Sequence, residues 1–207
     1  MNPATQATRT LPIFPLGTVL FPGGVLPLRI FEARYMDMVR DCLKNESEFG
    51  VCLITDGREV GQPADHESIG CTARIEHWDM VQLGLLNIRT RGEQRFEIQS
   101  RELAADGLIM AQVADWAPEP EQAVPPQYGV CVQLLQRIVC DVGNRDSDPM
   151  RQLVAQPYCY ESAPWVSNRL SELLPIPMSA KAALLAMEDP IARLQVIKDY
   201  LHHHQLL

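Results

Sequence analysis

The sequence predicts an α+β protein. A small β-barrel carrying one helix is expected over residues 1–117, a Pro-rich connector over 118–126 and a helical subdomain over 127–207. Three observations carry this. Between residues 47 and 116, apolar side chains recur at every second position in short runs bounded by Gly and Asp. At 117–126, APEPEQAVPP, the composition turns acidic and proline-rich. Beyond it the apolar period becomes helical.

Residues 11–35, LPIFPLGTVLFPGGVLPLRIFEARY, set Pro12, Pro15, Pro22 and Pro27 among β-branched and aromatic residues. Proline cannot donate to a sheet ladder, so these strands must be short, bent or at an edge. Phe21-Pro22-Gly23-Gly24 marks a turn between two apolar runs. From Phe31 the period changes. Phe31, Tyr35, Met38, Val39 and Cys42 share one helical face, which is expected to look into the barrel. Glu32 then sits in the first turn, where a carboxylate suits the helix dipole.

The apolar run 49–54 ends in a Thr55-Asp56-Gly57 turn. Cys71, Ala73, Ile75 and His77 alternate with Thr72, Arg74, Glu76 and Trp78, as a half-buried strand requires. Trp78 is expected to lie under the helical half. Leu86, Ile88 and Thr90, then Phe96 and Ile98, alternate with polar neighbours, and 108–116 is a further strand. Arg89, Arg91 and Arg95 are expected to pair with Glu76, Glu93 and Glu97 across strands. In the helical half, Tyr128, Cys131, Val132, Leu135, Ile138, Val139 and Val142 form one stripe that stops at Gly143-Asn144. Asp148-Pro149 and Asp189-Pro190 each put a capping carboxylate before a proline that can open a helix. Segments 165–174, 180–187 and 191–201 complete the half, with Trp165 and Leu170 at the joint.

A length of 207 residues suffices to bury a core, and 46% hydrophobic against 21% charged residues describes a globular chain. The net charge of −8 argues against a general nucleic-acid surface, which needs excess Lys and Arg. The N-terminal MNPATQATRT has no apolar leader core, and no apolar run approaches the ~20 residues of a membrane span. Cys42, Cys52, Cys71, Cys131, Cys140 and Cys159 form no C-x-x-C pair, and reduced, mostly buried thiols are expected. A cytoplasmic protein without membrane attachment is the resulting expectation.

No motif carries chemistry. A P-loop needs a Lys following Gly, and none does; no G-x-S-x-G elbow occurs. His66-Glu67-Ser68-Ile69-Gly70 starts like a zinc-protease motif but lacks its second histidine and reads as a loop. His202-His203-His204 reads as a solvated helix end, and Asn45-Glu46-Ser47 as an exposed turn. Cys71 and His77 share a strand face but lie roughly 20 Å apart, too far for a dyad. No catalytic residue, metal site or cofactor is expected.

Three blocks of sequence resemble the N-terminal domain of Lon proteases, here free-standing. The first comprises Pro15-Leu16, Val19, Phe21-Pro22-Gly23, Pro27-Leu28, Ile30-Phe31-Glu32 and Arg34-Tyr35. The second is Ile69-Gly70-Cys71-Thr72-Ala73-Arg74-Ile75 with Arg91-Gly92-Glu93-Gln94-Arg95-Phe96-Glu97-Ile98. The third is Leu170-Ser171-Glu172-Leu173-Leu174-Pro175, followed by Lys181, Leu184-Leu185 and Arg193-Leu194.

The resemblance implies a PUA-like barrel followed by helices, binding polypeptides without catalysing a reaction; the protease's ATPase and Ser-Lys parts have no counterpart in these residues. Implied partners are unfolded or exposed apolar polypeptide segments, with a separate protease or chaperone as a further partner, and neither nucleic acid nor membrane. Leu83-Gly84-Leu85-Leu86-Asn87 replaces the family's polar turn and adds apolar surface. The expected binding residues are therefore Arg29, Phe31, Arg34, Leu83, Leu85 and Leu86, with Glu32 and Arg34 also tying the helix start to the barrel. Two other readings stay open: a small-molecule enzyme using the cleft between the halves, and an RNA-binding module by analogy of fold.

Overall fold

The computed structural model describes residues 8–143 and 154–204. Six strands come first: β1 (Thr8–Leu16), β2 (Val25–Ile30), β3 (Phe49–Asp56), β4 (Asp65–Gln82), β5 (Leu85–Leu103) and β6 (Ile109–Asp115). Helix α1 (Ala33–Asn45) lies between β2 and β3. After a connector and one 3-10 turn at Pro126–Tyr128 come α2 (Gly129–Gly143), α3 (Ala163–Leu173), α4 (Met178–Leu185) and α5 (Pro190–His203). The Asp148-Pro149 cap lies outside the described residues.

The strands form one sheet in the order β2-β5-β4-β3-β1-β6, and β6 also pairs with β5, so the ladder returns on itself. β5 makes this closure possible. The two alternating stretches seen in the sequence are one long strand. Its residues 86–91 pair with β2, its residues 96–103 pair with β6, and β4 runs along its other edge. Gly92 sits where β5 passes from one partner to the other. There the β1–β2 turn hooks on, through Gly23 N–H to Gly92 O (2.7 Å) and Gly92 N–H to Gly24 O (2.8 Å). A side chain at Gly92 would strike the Phe21 carbonyl. Pro27 lies on β2, which has β5 as its only neighbouring strand among the described residues, so its missing N–H is tolerated at an edge.

α1 turns Tyr35, Met38, Val39 and Cys42 onto Phe14, Phe49, Leu86 and Ile88 of the sheet. Its boundary differs from the periodic reading. The helix starts at Ala33, Glu32 is its N-cap, and Phe31 precedes it with 55% of its surface exposed. The helical half packs around Val166, Leu170 and Leu194, and the same cluster takes in Val19, Phe21 and Leu53 from the sheet half. Leu170 is thus at the joint, while Trp165 is half-buried with its ring edge-on to Tyr160.

Charge also crosses the joint. Glu119, in the connector, holds Arg193 at 2.6 Å and Arg95 at 3.1 Å. Arg95 donates in turn to the Leu185 and Met187 carbonyls. Arg169 of α3 donates to the Pro22 carbonyl at 2.8 Å and stands 3.1 Å from Glu172.

Three expectations are corrected here. Trp78 is 56% exposed: it lies on the stretch of β4 beyond Ala73, which has left β3 behind and, among the described residues, pairs with β5 alone, on the side away from β2. His66 lies in β4 and not in a loop. Arg89 and Arg91 both meet Glu76 as expected, but Arg95 turns to Glu119, away from Glu93 and Glu97.

Candidate functional site

The six expected binding residues divide into three kinds. Arg34 is buried and spent on structure. Its Nη2 donates to Glu32 (2.9 Å) and the Gly61 carbonyl (2.7 Å), its Nη1 to the Gly107 carbonyl (3.2 Å), and it lies over the Tyr35 ring. It ties two loops to the helix start and offers nothing to a partner. Leu86 is a core residue beside Ile30 and Ile88, because the strand pleat turns it inward, and Leu85 is half-buried. Leu83, Phe31 and Arg29 are exposed, Leu83 by 97%.

The structure brings these exposed residues to one end of the molecule. Arg29 stands opposite Asn87, and Ile30 opposite Leu86, which in turn faces Met80. The end of β2, the start of α1 and the β4–β5 turn are therefore neighbours. The turn itself is tight: Gly84 has φ +82°, a conformation that favours glycine, and Leu83 beside it projects into solvent.

Phe31 rims a cavity of about 270 Å³ whose walls include Phe14, Leu28, Tyr35 and Val60, with Glu32 and Glu59 at its mouth. The floor is rigid, because the rings of Phe14 and Tyr35 stack at 3.9 Å. Burial pushes the Tyr35 hydroxyl above its ordinary pKa, so it stays neutral. The Glu59 carboxylate accepts from Gly17 N–H at 2.6 Å and fixes the 57–64 loop over this cavity.

Three more apolar residues belong to this end: Val60 and Met80, not singled out in the sequence, and Trp78, expected under the helices. Val60, 54% exposed, sits in a polar loop and gives no periodic signal. Trp78 and Met80, 56% and 47% exposed, are alternate residues running up to the turn. That spacing was a usable signal once the strand was known to continue to Gln82.

A larger cleft, about 880 Å³, lies between sheet and helices and includes Arg95, Glu119, Glu93 and Trp165. Its central charges are already paired with one another. Burial raises the Cys52 thiol to about 12 and pushes Cys71 higher still, so neither supplies a thiolate. His66, its pKa lowered by burial, has Nδ1 against the Glu67 carbonyl at 2.8 Å. His202, His203 and His204 are exposed at the end of α5. Among the described residues no group of His, Cys, Asp or Glu could hold a metal ion, and no helix is long and apolar enough to cross a membrane.

Residues 10–203 match the family model of the ATP-dependent protease La (LON) substrate-binding domain. The chain belongs to that family. It is 34% identical to the crystallised Lon N-terminal domain protein from Xanthomonas campestris, with a TM-score of 0.75 over 93% of this chain and 98% of that one. The N-terminal domain of the Mycobacterium avium complex Lon protease shares the fold, with a TM-score of 0.61 at 16% identity over 95% of this chain and 100% of that one. Among curated proteins, Lon protease from Paraburkholderia phytofirmans is 27% identical over 95% of this chain and 25% of its own length. Protein cereblon from Gallus gallus is 26% identical over 58% of this chain and 26% of its own. The chain thus spans about a quarter of the length of these two relatives.

Proposed function

We propose that this chain recognises polypeptides, taking exposed apolar segments of unfolded proteins onto the end formed by Phe31, Val60 and Leu83. It is read as a non-catalytic cytoplasmic module, with a PUA-like barrel over 1–117 and a helical subdomain over 127–207. A separate protease or chaperone would act on what it holds. The observation that carries the reading is the concentration of exposed apolar side chains at one end, around a stacked aromatic floor. Scattered exposed apolar residues need no explanation, but a cluster on a rigid support is a contact surface. The family's description as a substrate-binding domain points the same way. A catalytic use of the cleft would need a free base or nucleophile, and its buried charges are engaged in the joint.

The test is capture of a permanently unfolded, carboxymethylated protein, read by fluorescence anisotropy. Phe31→Ser combined with Leu83→Ser should weaken binding about tenfold, about 1.4 kcal/mol, at an unchanged melting temperature. Equal binding by the folded double variant would overturn the reading.

A further inference from the structure

β3 pairs with β4 only as far as Ala73, opposite Phe49. From Arg74 to Gln82, β4 has β5 as its only neighbouring strand among the described residues. Its other edge pairs with no strand among the described residues and presents backbone N–H and C=O groups along this stretch. Open edges of this kind are blunted by proline, by charged side chains, by β-bulges or by a covering element; here β4 shifts register against β5 at Ile75–His77 and Met80–Gln82, and His77 to Met80 between them stay in regular register. Residues 74–82 contain no proline or lysine.

Beside the start of this edge lies a groove of about 680 Å³, whose lining includes Leu43, Glu46, Arg74 and Ile75. It continues the line that β3 would follow if it began earlier. Trp78 and Met80 lie farther along the edge on the same sheet face as Ile88 and Leu86, which they oppose across the ladder. A strand laid here would find apolar side chains on that face.

The charges select its chemistry. Arg74 is engaged by Glu93 at 3.4 Å and Glu48 at 3.8 Å. Glu46, in the groove, and Asp79, beside Trp78, are both exposed and have no cationic partner among the described residues. One unneutralised carboxylate therefore stands toward each end of the edge, on a chain whose net charge is −8.

We propose that an extended apolar segment flanked by basic residues adds to β4 as a further strand. Backbone hydrogen bonds to the edge provide affinity whatever the sequence, Trp78 and Met80 cover alternate apolar side chains, and Glu46 and Asp79 draw in Lys or Arg at the ends. This rests on the reading of the chain as a polypeptide-recognition module and specifies the geometry of recognition.

The test uses the full chain and synthetic eight-residue peptides of alternating valine and threonine with a lysine at each end. In an added strand, alternate N–H groups point at β4 and the others at solvent. N-methylating one alternate set should weaken binding at least tenfold, while methylating the other set leaves it within about twofold. Glutamates in place of the lysines should weaken binding at least fivefold, and Glu46→Lys combined with Asp79→Lys should reverse that preference. Backbone amides between 74 and 82 should gain protection from hydrogen exchange in the complex. Equal loss for the two methylated peptides, or no charge preference, overturns strand addition. So does failure of every peptide to bind while the carboxymethylated protein is still captured, and that result leaves polypeptide recognition standing. Failure of both kinds of ligand overturns both.

Discussion

Glu119 keeps two arginines from being stranded. Its side chain is 7% exposed and stands between Arg95, 4% exposed, and Arg193, fully buried. Burial lowers the Arg95 pKa, and Glu119 is the first of the groups that oppose this. Removing one member of such a set leaves an uncompensated buried charge, at about 3–5 kcal/mol. Glu119→Ala is therefore expected to lose that much stability in urea unfolding, far more than Glu121→Ala at an exposed neighbouring position. Glu172 makes a second, pH-dependent case. Its side chain is 15% exposed, and burial raises its pKa to about 7, against the pull of Arg169 and Lys181. Between the ordinary carboxylate range and about 7 the folded protein holds this proton and the unfolded chain does not. Stability from this group is complete at low pH and is lost as pH rises through about 7, an effect on the order of 2–3 kcal/mol. Melting temperatures should thus fall between about pH 5 and 7 and level off above, and Glu172→Gln should flatten that slope; an unchanged slope would assign it to other groups. None of these roles was legible in the sequence, where Arg95, Arg169, Arg193 and Glu119 look like surface residues. Glu119 meets partners 24 and 74 positions away, and Arg169, although Glu172 is three positions on, also reaches the Pro22 carbonyl 147 positions back; a single sequence does not pair them.

At the scale of elements, legibility followed cover. α1 was readable because one stripe meets one core. Tyr35, Met38, Val39 and Cys42 all face the sheet, and Val39 is fully buried. Val39→Asp should therefore lower stability by several kcal/mol and show as a fall in melting temperature or as aggregation, since no cation is placed to pair with it. Strand alternation was readable where one face alone lies on the core, as at Leu86 and Ile88; at Cys71 and Ala73 it fails, because Thr72 between them is buried as well. It misled where a strand outruns its cover. Trp78 shares the strand with Cys71 and Ala73 but is 56% exposed, and a pattern of residue types does not record where the neighbouring layer stops. Helix edges failed for a related reason. Phe31 continues the apolar period of α1, yet the extended backbone at Glu32 turns it outward. Of the expected site, the adjacency of the β2 end and the hairpin turn held, while Leu86 and Arg34 were claimed by core and scaffold. The same double substitution, Phe31→Ser with Leu83→Ser, belongs to this scale, because it asks whether two elements act as one surface.

For the whole molecule, the sheet has two open margins that differ in kind. Along β2 the outer strand carries Pro27, exposed and without an N–H. Along β4 the margin from Arg74 to Gln82 has no such residue. Growth of a filament by edge pairing needs two competent margins on every copy, one to receive and one to extend. Here a copy has one. Any association through β4 consumes the growing end of both copies and closes at a pair, so raising the concentration cannot lengthen the assembly. Pro27→Val would supply the missing end. Light scattering on that variant should show particles that keep growing with concentration, and the parent chain should show no such growth. A single ring of five atoms on β2 is thus what separates a chain with one competent margin from one with two.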